Sequence, residues 1–116
     1  HVKARLRQLR RERATTRMMQ NVPEADVVIT NPTHFAIALK YKPKEMNAPV
    51  CVAKGQDLIA HRIREVANEN KIEVVENPPL ARSLFDVVEI DQEIPENMYK
   101  AVAEVISFVF KKQGRL

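Results

Sequence analysis

Asn31, Pro32, Thr33 and His34 form the stretch of this chain whose residue types and spacing could do covalent chemistry. A strained asparagine usually deamidates when the next backbone nitrogen attacks its side-chain carbonyl, but proline has no N–H and closes that route. The reverse attack stays open. The amide nitrogen of Asn31 can attack its own main-chain carbonyl, close a five-membered succinimide and expel the Pro32 nitrogen, cutting the chain without water. An amide is a poor nucleophile, so the fold must help. It can do so with a near-attack geometry, backbone N–H groups aimed at the carbonyl oxygen, turn strain, and a base or acceptor near the amide. His34 at the far corner of the turn is the candidate for that last role, as base or orienter, with Thr33 as turn residue and hydrogen-bond partner. A His34 base predicts cleavage that slows in acid as the imidazole is protonated. The expected event is a single intramolecular turnover of the asparagine peptide lyase type, not an enzyme's cycle.

The dipeptide alone is weak evidence, because Asn and Pro dominate turns for ordinary conformational reasons. The chain carries its own control at Asn77-Pro78, which is followed by Pro79-Leu80 and lacks the Thr and His. What sets the first pair apart is its setting between two apolar runs, Ala25–Ile29 and Phe35–Leu39. Pro32 suits the second position of a β-turn, and a residue before proline is pushed toward extended geometry, so Asn31 is expected to end a strand.

The remaining elements follow from periodicity. Phe35, Ile37 and Leu39 alternate with smaller or polar residues as in a strand, and Val50–Ala53 reads as a third strand stopping at Lys54-Gly55. A helix is expected from about Gln56 to Asn70, with Leu58, Ile59, Ile63, Val66 and Ala67 on its buried face. Ile72–Glu76 gives a fourth strand, so that Val50–Glu76 predicts a strand-helix-strand unit with parallel pairing. Pro78 and Pro79 suit the first turn of a short helix, and Pro95 opens a last one carrying Met98, Val102, Val105, Val109, Ala103, Ile106 and Phe110. The expected fold class is α/β: a small mixed four-stranded sheet surrounded by helices, with a protruding basic N-terminal helix.

The chain has 116 residues, enough for one self-sufficient core. Its single cysteine, Cys51, excludes an internal disulfide and a cysteine-based metal cluster, and reads as a buried small hydrophobe. His1, His34 and His61 lack metal-ligand spacing. No metal, cofactor or small-molecule substrate is expected. The net charge of +4 is uneven, since residues 1–20 hold Lys3, Arg5, Arg7, Arg10, Arg11, Arg13 and Arg17 against Glu12 alone. The basicity therefore belongs to the N-terminal segment. That segment fits a solvated helix, a basic arm for nucleic acid or anionic lipid, or the continuation of a membrane helix. With no recognition motif and few aromatics, a nucleic-acid-binding module is the runner-up from another class, and no nucleic acid is expected. No apolar run approaches the roughly 20 residues of a membrane span.

Asp26 to Tyr41, with Asn31-Pro32-Thr33-His34 at its centre, resembles the self-cleavage segment of the FlhB/YscU/SpaS export-switch family of type III secretion systems. The resemblance continues through Met46–Pro49, Val52–Gly55, Ile63–Glu65, Asn77–Arg82, Ile94-Pro95 and Ala101–Val105, nearly the whole chain, and favours the flagellar branch over the virulence injectisome branch. It implies a basic linker helix (1–22) following a membrane region absent from this chain, and a globular self-cleaving domain (23–116). It also implies a place at the cytoplasmic face of the bacterial inner membrane. Cleavage between Asn31 and Pro32 would let the apparatus change from rod and hook subunits to filament subunits while the two fragments stay assembled. Implied partners are other export-gate proteins, the hook-length control protein and exported flagellar subunits. Matching motifs place a substrate-binding apolar patch at Ala48, Pro49, Ala103 and Ile106; periodicity alone would make Ala103 and Ile106 core positions.

Overall fold

The computed structural model describes residues 1–32 and 34–115. Helix α1, Val2–Asn21, is rich in good helix formers and contains neither Gly nor Pro. Met18 is its buried residue, with Met19 packed beside it, so most of α1 projects and the molecule measures 53 × 29 × 27 Å. A single 3-10 turn over Val22–Glu24, with Pro23 inside it, ends the helix and delivers the chain to the sheet.

The sheet comprises β1 (Val27–Asn31), β2 (Phe35–Lys40), β3 (Val50–Gln56) and β4 (Glu73–Glu76) in the order β3-β2-β1-β4. β1 with β2 and β2 with β3 are antiparallel, whereas β1 with β4 is parallel. The mixed four-stranded sheet matches the expectation, but the neighbour of β4 does not. β2 already occupies the inner edge of β3, so helix α2 (Leu58–Glu69) carries the chain across the sheet to the open edge of β1.

Both faces of the sheet are covered. Val27, Ile29, Ile37 and Leu39 pack against α3 (Pro78–Val87) and α4 (Tyr99–Lys112), while Val28, Ala36 and Ala38 pack against α2 and the end of α1. The small residues on the second face let α2 approach closely. β3 extends past its expected stop: Lys54 pairs with Ile37 and Gly55 with Ala36. Gly55 is needed there because a Cβ would collide with the Ile59 side chain. A register shift between Ala38 and Leu39 leaves both Val52 and Ala53 on the α2 face and returns Lys54 to the α3 face. There the Lys54 ammonium donates to the carbonyls of Phe85 (3.1 Å) and Val88 (2.8 Å), capping the C-terminal end of α3.

Helix α2 starts two residues later than expected, and Leu58 is 84% exposed rather than buried; Ala60, Ile63, Val66 and Ala67 form its core face. Helix α3 is longer than expected, and α4 is preceded by a 3-10 turn over Glu96–Met98 that Pro95 introduces.

Candidate functional site

Asn31 is the last residue of β1, and Pro32 follows in a turn that returns the chain to Phe35, the partner of Asn31 across the β1–β2 pair. The backbone N–H of His34 donates to the Asn31 carbonyl at 2.9 Å, the closing bond of a four-residue β-turn with Pro32 at its second position. That carbonyl carbon is the one the Asn31 amide would attack. Its oxygen is therefore already supplied with a donor where negative charge would develop.

Two further backbone bonds hold the turn. The Thr30 carbonyl, one residue before Asn31, accepts from the Asn77 N–H at 2.9 Å, because β4 runs alongside β1 and brings Glu76 opposite Thr30. The His34 carbonyl accepts from the Asp57 N–H at 2.9 Å, because β3 ends opposite the start of β2. Neighbouring strands thus clamp the turn on both sides. Among the described residues, His34 reaches Asn31 through its backbone, while its exposed ring lies 6.3 Å from the Phe35 ring. Phe35 stacks on Phe85 at 4.7 Å, with the Lys54 ammonium 5.0 Å from that second ring, which fixes the root of β2. Thr33, the remaining expected site residue, lies outside the described residues.

Asn77-Pro78 sits beside this turn in a different state. The Asn77 side-chain oxygen accepts from the Leu80 N–H at 3.3 Å, an N-cap of α3, and its main-chain carbonyl accepts from Ala81 as the first helical acceptor.

Ala48, Pro49, Ala103 and Ile106 also come together. They line one groove of about 370 Å³ between the β2–β3 connection and α4, bordered by Tyr41, Tyr99 and Phe110. Ile106 is 5% exposed and serves the core as well as the groove wall, whereas Ala103 is exposed on the groove rim.

Sequence reasoning missed Asp26. It is 7% exposed, and its carboxylate accepts from the Tyr41 N–H (2.8 Å), the Lys42 ammonium (2.9 Å) and the Arg115 guanidinium (3.2 Å). Arg115 in turn lies over the Phe110 ring at 3.8 Å, so Asp26 ties β1 to the rim of the groove. The available signal was an acid directly before an apolar strand, with the basic partners distant in sequence. Cys51 is buried in the core, and burial pushes its thiol from 9.0 up to about 12, Lys54 opposing only in part. It is a packing residue, not a nucleophile.

The matched family model, described as "FlhB HrpN YscU SpaS Family", covers residues 1–109. The chain belongs to that family. It is 52% identical over 115 residues to the flagellar biosynthetic protein FlhB of Bacillus subtilis, covering 99% of this chain and 32% of that protein. The FlhB of Salmonella typhimurium is 51% identical, with 100% of this chain and 30% of that protein covered. The chain thus spans about a third of the curated relatives it matches. The crystal structure of the cytoplasmic domain of FlhB from Shewanella putrefaciens superposes with a TM-score of 0.80 at 48% identity, covering 84% of this chain and 80% of that one. The C-terminal domain of EscU with an Asn-to-Ala substitution gives 0.75 at 35% identity, covering 79% and 92%. Among the described residues, no helix is long and apolar enough to cross a membrane.

Proposed function

We propose that this chain is the self-cleaving switch domain of a flagellar type III export apparatus, cut once between Asn31 and Pro32 by cyclisation of Asn31. The observation that carries the reading is the place of Asn31 at a strand end, followed by proline in a turn that the His34 N–H closes on the Asn31 carbonyl. In the step, the Asn31 side-chain nitrogen bonds to the Asn31 carbonyl carbon and the bond from that carbon to the Pro32 nitrogen breaks. One amide proton is lost from the attacking nitrogen and one is gained by Pro32. No water is consumed. The products are a C-terminal succinimide and a free prolyl N-terminus.

Both products remain anchored. Residues 27–31 keep their ladder to β2 and residues 27–30 theirs to β4, and Asp26 still binds Tyr41, Lys42 and Arg115 of the second fragment. A cut in a clamped surface turn then frees local conformation without dismantling the sheet, which suits a switch between rod or hook and filament subunits. The roughly half-identical FlhB relatives favour the flagellar branch, and solved EscU domains substituted at an asparagine and at the following proline support a role for an Asn-Pro pair. The groove lined by Ala48, Pro49, Ala103 and Ile106 is the surface for exported subunits. The basic α1 leads back to the cytoplasmic face of the inner membrane, and the hook-length control protein and other export-gate proteins are the remaining partners.

The test is the intact mass of freshly purified chain in denaturant. Fragments 1–31 and 32–116, replaced by one full-length species in Asn31→Ala, are the expected result; a single uncut wild-type species after long incubation at neutral pH overturns the reading.

A further inference from the structure

We infer that Asp57 is a positioning residue for the self-cleavage turn, acting through its backbone; the inference rests on the reading given under Proposed function. Asp57 alone joins β3, which ends at Gln56, to α2, which begins at Leu58. Its backbone adopts φ 53° and ψ −117°, outside even the small left-handed region that L-residues visit and matching the first central position of a type II′ turn, a glycine position. Glycine is absent here, and the aspartate does not use its side chain to cap the helix it precedes.

What this conformation accomplishes is visible in its two peptide groups. The Asp57 N–H points back across the sheet to the His34 carbonyl at 2.9 Å, while its carbonyl accepts from the His61 N–H at 3.0 Å as the first acceptor of α2. One residue therefore couples a twelve-residue helix to the far corner of the turn. His34 is held at both its backbone groups, the N–H on Asn31 and the C=O on Asp57. With both groups fixed, the donor that would stabilise the charged carbonyl oxygen cannot swing away, so it needs no reorganisation during the step. Uncommon backbone geometry held next to a reacting bond is where such strain is found to serve a function.

The experiment follows release of residues 1–31 from the full chain after a pulse of cell-free synthesis, with melting temperature measured on each product. Asp57→Gly keeps the N–H and accepts the conformation, Asp57→Val cannot adopt it, and Lys71→Val places the same β-branched residue at another positive-φ position (φ 57°), just before β4 at the end of β1 away from the turn. The expected result is cleavage of Asp57→Gly and Lys71→Val within about threefold of the original chain. Asp57→Val is slowed at least about tenfold, equivalent to about 1.4 kcal/mol of barrier. Equal slowing of Asp57→Val and Lys71→Val would mean general destabilisation, and slowing of Asp57→Gly to the Val level would place the effect in the carboxylate; either overturns the inference. So does an Asp57→Val chain that is cut at the original rate, while leaving self-cleavage itself standing. An original chain that is never cut overturns both.

Discussion

Asn31-Pro32 and Asn77-Pro78 lie side by side at one end of the sheet, joined by the bond from the Asn77 N–H to the Thr30 carbonyl, yet their surroundings differ. Both asparagine carbonyls accept a backbone hydrogen bond, so carbonyl polarisation by itself does not separate them. The side chain and the leaving group do. Asn77 spends its amide oxygen on Leu80, which turns the side chain toward the helix, and expulsion of Pro78 would detach the first turn of α3, whose Leu80 and Ala81 are core residues. Pro32, by contrast, sits in a surface turn where a break costs no packed element. The same dipeptide is thus a cap in one place and a proposed cleavage site in the other, and strand end versus helix start makes the difference.

Asn31→Ala breaks the comparison most completely: it removes the nucleophile, and denaturing mass analysis should find no cut chain at any time. Pro32→Ala comes next. It restores a backbone N–H after Asn31 and loosens the turn, so cleavage should slow by about tenfold or more, a loss on the order of 1.4 kcal/mol in barrier, while deamidated full-length chain appears in its place. Asp26→Ala tests whether the cut halves are held by more than strand pairing. Charged hydrogen bonds contribute about 1.5–3 kcal/mol each, reduced here because Lys42 and Arg115 are partly exposed, so a total loss of about 2–4 kcal/mol is expected in urea unfolding. Fragment 1–31 should then separate from 32–116 at lower denaturant. Asn77→Ala sharpens the contrast from the other side: loss of the cap should cost about 1 kcal/mol of stability and leave the cut at Asn31 in place.

A last effect, confined to alkaline solution, bounds the pH range in which the two bonds can be compared in the folded state. Folding raises the Cys51 pKa from 9.0 to about 12, so the unfolded chain releases that proton first as pH rises. The contribution to stability is complete below about pH 9 and is lost progressively as pH climbs through about 12. Urea midpoints measured across this window should fall with pH in the original chain and less steeply in Cys51→Ala.

Much of this was legible in the chain. Pro32 forces its predecessor to be extended, which placed Asn31 at a strand end, and Pro78-Pro79 marked a helix start. Local rules of this kind act over two or three residues and survive folding unchanged. The groove residues were brought together by family resemblance rather than by pattern, since periodicity alone reads Ala103 as core. What escaped depends on contacts distant in sequence. The place of β4 beside β1 is decided by which strand edge remains open, not by its own residues. Asp26 finds Arg115 only after the whole domain has closed, and the extension of β3 through Gly55 depends on where Ile59 of α2 comes to rest. The conformation of Asp57 has no sequence signature at all, because the residue that would advertise it is glycine.

The most direct measurement is the rate of chain scission at both Asn-Pro bonds, in native buffer near neutral pH and in concentrated urea, from uncut chain made by rapid synthesis. Cyclisation of Asn31 within the folded turn predicts scission at Asn31-Pro32 alone, and only in native buffer, because the closing bond from the His34 N–H and the two flanking clamps exist only in the fold. Scission at Asn77-Pro78 at a comparable rate, or undiminished scission at Asn31-Pro32 in urea, would contradict it.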